Sequence, residues 1–153
     1  ALAKRRIREL GERWAGVTVK WPVKADVNVT DEDIKNHSLV LVGTKEGNSL
    51  LRKIQDKLPI RVTDGSVTMG KNKYSGKTVA ASFVYPNPLN PNRYVVVHTG
   101  VSKEALFYIS HPPRLLPDYM IYDASKWGTK HGRVLGEDRE ILAGGFFDKN
   151  WNF

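Results

Sequence analysis

The sequence has no cysteine and no long apolar run. Without cysteine, its 153 residues can form no disulfide, thiolate metal site or cysteine nucleophile. The longest apolar stretches, such as YVVVH, are far shorter than the ~20 residues of a membrane-spanning helix. The first residue is Ala, and no signal-peptide pattern follows it. We therefore expect a soluble protein with no membrane span, and a chain that is a fragment of a longer one.

Charge is also unevenly distributed. The chain has 24 Lys and Arg against 16 Asp and Glu, a formal net charge of +8. Residues 1–24 hold seven of the basic residues and only two of the acidic ones. Such an arm can bind polyanions or form a solvated helix face, and charge alone identifies no partner. We expect the solvated face, expect no nucleic-acid partner, and keep polyanion binding by this basic helix as a weaker alternative.

The N-terminal part of the chain predicts two helices around a short strand. An apolar stripe at helical spacing predicts a surface helix that ends near Gly16. Its members are Ala3, Ile7, Leu10 and Trp14. VTVKW then predicts a strand. Thr30 is a candidate N-cap for a helix of about two turns, because acidic residues follow it where the helix dipole favours them.

The remaining chain reads as strands alternating with helices. SLVLVG predicts a buried strand, and the next helix buries four apolar residues and stops at Pro59. Those four are Leu50, Leu51, Ile54 and Leu58. IRVTDGSVTMG and KTVAASFVYP each predict one strand, with KNKYSG as the turn between them.

The second half of the chain continues in the same way. The prolines and asparagines of YPNPLNPNRY predict a structured loop between strands. YVVVHTG predicts a strand, SKEALFYI a helix capped by its serine, DYMIYD the last core strand, and REILAGGFF an edge strand or hairpin arm.

This alternation predicts an α/β fold. Right-handed crossovers would give a three-layer sandwich around a flavodoxin-like, mainly parallel sheet with a mixed antiparallel edge. We expect residues 1–153 to form a single domain. Within it, residues 1–16 form the basic N-terminal helix, and residues 17–153 form the sheet with its covering helices.

The loop in LVLVGTKEGNSLLRKI is the first candidate site. Ligands of open α/β sheets bind beyond the carboxyl ends of strands, where a helix N-terminus can hold an anion. Gly43, Thr44, Asn48 and Ser49 occupy that place. The spacing matches neither a Walker A loop nor a dinucleotide fingerprint. We favour a structural role, a chain turn with a capped helix, and keep a small ligand, nucleotide or anion as the alternative.

His98 joins this candidate site because it ends a predicted core strand and could face the same sheet edge as Gly43. None of the four histidines stands at a metal-ligand spacing, so we predict no metal and no cofactor. No serine stands in a Gly-x-Ser-x-Gly elbow, so we predict no catalytic residue in this chain. Asp118 and Asp123 flank a strand and are expected to cap or pair locally.

Four stretches taken together carry a family resemblance. They are VTDEDIKNHSLVLVGTKEGNSLLRKIQDKLPI, FVYPNPLNPNRYVVVHTG, LPDYMIYD and ILAGGFFDKNW. Their order and spacing across residues 17–151 resemble the C-terminal region of large bacterial secreted α/β-hydrolase-type proteins, peptidases or esterases of the prolyl-oligopeptidase kind. In such proteins the catalytic elbow belongs to the preceding domain.

The resemblance implies a non-catalytic accessory domain of an exported serine hydrolase, with the catalytic domain upstream in the same polypeptide as its partner. It also implies an extracellular or cell-envelope location. This chain would then have no activity alone, although its parent would be a hydrolase.

Overall fold

A computed structural model describes residues 22–63, 65–107, 117–126 and 141–153. The predicted N-terminal helix and the strand VTVKW lie outside these ranges. The described α-helices are α1 (Asp31–Asn36), α2 (Ser49–Ile54) and α3 (Lys103–Phe107). The strands are β1 (Leu39–Val42), β2 (Ile60–Thr63), β3 (Ser66–Met69), β4 (Asn72–Ser75), β5 (Val79–Asn87), β6 (Asn90–Gly100), β7 (Tyr119–Asp123) and β8 (Ile141–Gly145).

The strands form two sheets. The main sheet has the order β1-β6-β5-β7-β8, and only the β1–β6 pair is parallel. The smaller sheet is an antiparallel meander of β2, β3 and β4. The described residues thus contain more strand than helix, and antiparallel pairing dominates. The predicted three-layer α/β sandwich with a flavodoxin-like, mainly parallel sheet is therefore wrong.

The central hairpin explains this error. The segment predicted as a loop, YPNPLNPNRY, instead continues β5 to Asn87 and begins β6 at Asn90. Two residues can join antiparallel neighbours, whereas parallel neighbours need a long crossover. Pro86 is tolerated in β5 because β7 pairs with β5 only over Val79–Phe83, so its missing N–H interrupts no bond to β7.

The small sheet corrects a second prediction. IRVTDGSVTMG forms two strands, β2 and β3, and the predicted turn KNKYSG contains β4. Gly65 and Gly70 lie in the two tight turns with φ of 68° and 56°. These left-handed conformations are readily adopted by glycine and disfavoured for most other residues, so both turns depend on glycine.

Local helix predictions are confirmed where the structure describes them. Thr30 caps α1: its Oγ1 accepts from the Asp33 N–H at 3.2 Å, and Asp33 Oδ2 accepts from the Thr30 N–H at 2.9 Å. The Lys24 ammonium also donates to the Asp33 carboxylate, and this bond, with those that the Thr30 N–H and hydroxyl donate, lowers the Asp33 pKa to about 2. Ser102 caps α3 by accepting from the Ala105 N–H at 3.1 Å.

The core lies on both faces of the central strands. On one face, the four apolar residues predicted for α2 and the segment after it are all buried, and they pack with the small sheet against Val79, Val95 and Val97. On the other face, Ala105 and Leu106 of α3 pack in one cluster with Ala80, Met120 and Tyr122. The hairpin β5–β6 is thus covered on both sides.

The contact between α3 and the sheet predicts the effect of a single methyl group. A Cβ at Gly100 would lie 3.0 Å from the Ala105 Cβ and 3.2 Å from the Val79 carbonyl oxygen. Neither atom can rotate away, so Gly100→Ala should lower the free energy of unfolding by about 1–3 kcal/mol, the usual cost of overpacking. Urea unfolding followed by circular dichroism measures this change.

Gly47→Ala is the matched control. A Cβ at Gly47 would lie 3.5 Å from the Thr44 Oγ1, an ordinary contact distance, so this variant should stay within about 0.5 kcal/mol of the parent. Equal stability of Gly100→Ala and the parent chain would contradict the close packing of α3 on β6.

Candidate functional site

The structure brings the predicted ligand-binding residues to one end of the main sheet. The register pairs Val42 with His98, and the N–H of Gly43 donates to the His98 carbonyl oxygen at 3.1 Å. The loop that follows Gly43 leads directly into α2 at Ser49. The loop and His98 are therefore neighbours, while ligand binding by them stays a prediction.

The polar groups of this loop are engaged within the chain. The Asn48 Oδ1 accepts from the Leu51 N–H at 2.9 Å and so caps α2. The Thr44 Oγ1 accepts from the Gly47 N–H at 3.2 Å. A Cβ at Gly43 would lie 3.0 Å from the Asn48 Cβ, so the close return of the loop requires glycine there. These contacts give the turning and capping roles favoured by the sequence.

Asp26 occupies the place where a bound anion would sit. Its Oδ2 accepts from the Ser49 N–H at 2.6 Å, at the first residue of α2. Hydrogen bonds from the Ser49 side chain and backbone lower the Asp26 pKa below 3.8. Because helix N-termini stabilise negative charge, this carboxylate satisfies the end of α2 from within the chain. Any external anion would have to displace Asp26.

His98 shares a hydrogen bond with Ser82 on the neighbouring strand. The antiparallel register places the two residues opposite each other, with 2.9 Å between the Ser82 Oγ and the His98 Nδ1. Their exposed fractions are only 5% and 2%. Buried polar groups are normally hydrogen-bonded, so this pair joins β5 to β6 inside the protein. A serine nucleophile must instead be reachable by its substrate.

Sequence reasoning missed both Asp26 and Ser82. Asp26 lies 23 residues before Ser49, and Ser82 lies 16 residues before His98. No local motif links residues so far apart, and the register that pairs Ser82 with His98 follows only from the hairpin. The sequence signal for this register was the turn between β5 and β6, but its composition also fits the loop that the sequence predicts there.

The aspartates that flank β7 mainly join distant parts of the chain. The Asp118 Oδ2 accepts from the Phe147 N–H at 3.1 Å, and the Asp123 Oδ1 accepts from the Thr78 Oγ1 at 2.7 Å. The Asp123 Oδ1 also accepts from the Ser125 N–H at 2.9 Å, which is the local contact that the sequence predicts for Asp123, whereas the contact shown for Asp118 is long-range. His37 is exposed at the end of α1. His111, His131 and the basic helix lie outside the described residues.

No group of three or more metal-ligating side chains comes together within the described residues.

A shallow depression of about 420 Å³ opens between α1, α2 and the β5–β6 turn. Its lining residues are Asp31, Ile34, Lys35, Lys53, Leu89 and Asn90. This depression does not include the loop that follows Gly43.

The outer edge of the main sheet has an apolar surface, which we call the β8 surface. It consists of Ile141, Leu142 and Phe146, with exposed fractions of 41%, 40% and 73%. Among the described strands, β8 pairs only with β7, and residues 141–147 carry no charged side chain. Edge strands without charge or proline are prone to pair with other chains. This edge therefore has the character of an interaction surface.

Aromatic side chains cluster next to this edge, where the C-terminal segment returns over the sheet. Within this aromatic cluster, neighbouring ring centroids lie 5.2–5.8 Å apart. Its members are Tyr85, Tyr94, Tyr119, Phe147, Trp151 and Phe153. A Cβ at Gly145 would lie 2.7 Å from the Tyr119 hydroxyl oxygen, so glycine there leaves room for the Tyr119 ring.

Comparison with known proteins brings no match: no family model, no curated protein and no solved structure matches this chain. None of the helices in the described ranges has the length and apolar character needed to cross a bilayer.

The Asp26 contact predicts a pH-dependent effect on stability. Because the folded-state pKa of Asp26 is lowered from 3.8, its ionised form stabilises the fold above that pH. This contribution is lost as the pH falls below 3.8 through the folded-state pKa. Asp26→Asn should therefore unfold at lower urea concentration than the parent chain at pH ~7, and the difference should shrink toward pH ~2.5.

Asp56→Asn is the matched control, because Asp56 is an exposed carboxylate in the turn after α2. Its substitution should leave the urea midpoint nearly unchanged at both pH values. A difference between Asp26→Asn and the parent chain that stays constant across this pH range would contradict the assigned contact between the Asp26 carboxylate and α2.

Proposed function

We propose that this chain is a non-catalytic accessory domain of an exported serine hydrolase, of the peptidase or esterase class. It packs on, or gates, a catalytic domain in the same polypeptide. The proposal starts from the resemblance of residues 17–151 to the C-terminal region of such proteins. The structural observation that carries it is the β8 surface, whose apolar side chains are exposed and uncharged and whose strand pairs, among the described strands, with β7 alone.

The β8 surface suits coverage by a protein domain. Exposed apolar side chains and unpaired strand edges favour contact with another chain, because association removes apolar area from water and satisfies backbone groups. Charged residues are typically depleted at the centres of protein interfaces, and residues 141–147 have none. A catalytic domain that covers this edge would keep the chain from associating with other molecules there.

The Ser82–His98 pair supports the non-catalytic part of the proposal. In a serine hydrolase triad, the histidine accepts the serine proton at Nε2, and an acid holds Nδ1. Here the serine oxygen meets Nδ1, and both side chains are almost completely buried. The pair therefore has the position and the geometry of a structural cross-strand contact.

The alternative of a small ligand, nucleotide or anion at the loop after Gly43 has less support. Asp26 already accepts from the Ser49 N–H, and Asn48 already caps the helix. Polyanion binding by residues 4–13 concerns a segment outside the described residues and stays a prediction. A steep fall of affinity with salt would be its signature.

The first test is a hydrolysis assay with the isolated chain. A cooperative urea transition first confirms that the isolated chain is folded. The folded chain should then hydrolyse chromogenic ester or peptide substrates no faster than buffer alone does. It should also remain unlabelled by a fluorophosphonate probe, because the described serine that faces a histidine, Ser82, is buried.

Ser82→Ala makes this assay specific. Two results together would contradict the proposal directly: a serine-directed inhibitor abolishes turnover, and the Ser82→Ala variant loses turnover although it still folds cooperatively. Turnover that survives this substitution but yields to the inhibitor would contradict it as well, since another serine would then be the nucleophile.

A second test concerns the gene. The reading frame upstream of the codon for Ala1 should encode a larger α/β region with a Gly-x-Ser-x-Gly elbow, because the proposal places the nucleophile there. An upstream reading frame without such a region would contradict an accessory role in a serine hydrolase.

A further inference from the structure

Two rings of the aromatic cluster form a platform on the surface. The centroids of Tyr94 and Trp151 lie 5.6 Å apart, and their planes are inclined by 46°. Tyr94 has an exposed fraction of 49%, and Trp151 is half-buried. Their separation is comparable with the length of one pyranose ring. Two neighbouring rings at this spacing can contact successive units of an extended ligand.

The backbone holds Trp151 in an unusual conformation. Its φ is 63°, a left-handed value that a bulky residue rarely adopts. Asp148 maintains it: the Asp148 carbonyl oxygen accepts from the Trp151 N–H at 3.0 Å. The Asp148 Oδ1 also accepts from the N–H groups of Asn150 and Asn152 at 2.8 and 2.9 Å. Strained residues that the surrounding structure maintains cluster at functional sites.

Two asparagines that neighbour the platform residues in the sequence indicate the chemistry of its ligand. Asn92 and Asn150 are exposed beside Tyr94 and Trp151 in the sequence, and neither side-chain amide hydrogen-bonds to another described residue. Amides both donate and accept, as hydroxyl groups do. Aromatic faces attract the C–H faces of sugar rings, and neither an aromatic ring nor an amide carries net charge. These four uncharged groups, which adjoin the charged Arg93, Asp148 and Lys149 in the sequence, are complementary to a neutral, polyhydroxylated ligand.

The geometry points to a carbohydrate-binding site at Tyr94 and Trp151, which takes a neutral glycan chain by stacking and uses the amides of Asn92 and Asn150 for its hydroxyl groups. Because the two rings are inclined, the site fits a glycan that turns between successive units. This inference uses residues other than the β8 surface and holds independently of the hydrolase proposal.

Affinity electrophoresis tests this site with the whole chain. Native gels contain hydroxyethyl cellulose, galactomannan, xylan or dextran as neutral probes, and alginate as an acidic one, because Arg93 and Lys149 are nearby in the sequence. At least one neutral polysaccharide should retard the chain, and the retardation should persist in ~0.3 M salt, which screens charge interactions between exposed groups.

Three variants locate the binding. Tyr94→Ala and Trp151→Gly should each lower the affinity at least ~tenfold. Glycine accepts the left-handed backbone of residue 151, so Trp151→Gly removes the indole while keeping the loop conformation. Phe146→Ala is the matched control, an aromatic residue with an exposed fraction of 73% outside the platform, and should keep the affinity within ~twofold.

Three results would overturn the inference. The first is no retardation by any neutral polysaccharide. The second is an equal loss of affinity in Phe146→Ala, which would indicate general adhesion of exposed aromatic rings. The third is binding to alginate alone that disappears with salt, which would assign the interaction to the net positive charge of the chain.

Discussion

The structure depends on the burial of the β5–β6 hairpin on both faces. Its alternating residues point to opposite sides, and apolar residues are buried on each: Val95 and Val97 on one face, and Ala80 on the other, where the Ser82–His98 pair is buried as well. Each face therefore needs its own cover. α2 and the small sheet supply one cover, and α3 supplies part of the other, so the positions of these elements follow from the hairpin.

Local structure could be predicted from the sequence, but strand direction could not. The caps at Thr30, Asn48 and Ser102 are short-range contacts between residues three apart. The sequence therefore identified Thr30 and Ser102, and it left the cap of α2 between Thr44 and Asn48. The antiparallel direction of β5 and β6 depends on the tight turn between them. The prolines and asparagines around this turn are also typical of a longer loop, so the sequence did not indicate a hairpin. Pro86 has no ladder partner on the β7 side, which allows β5 to extend into a segment that composition assigned to a loop.

In the candidate site, too, the sequence predicted short-range features but not contacts between distant residues. The sequence placed Gly43 and His98 at one end of the sheet, and the β1–β6 register brings them together. It could not anticipate that Asp26 would supply a carboxylate to α2 or that Ser82 would face His98, because both contacts join distant parts of the chain. These internal partners give the residues of the candidate site structural roles, and ligand binding by them stays a prediction.

The central claim is that this chain acts through its surfaces, with the edge at β8 covered by a catalytic domain in the complete polypeptide. Hydrogen exchange of the backbone N–H groups of Ile141–Gly145 tests it most directly, since exchange reports the protection of individual amides. The amides that point away from β7 should exchange rapidly in the isolated chain. In the complete polypeptide, exchange of the same amides should slow at least ~tenfold. Equal exchange rates in the two proteins would contradict the account.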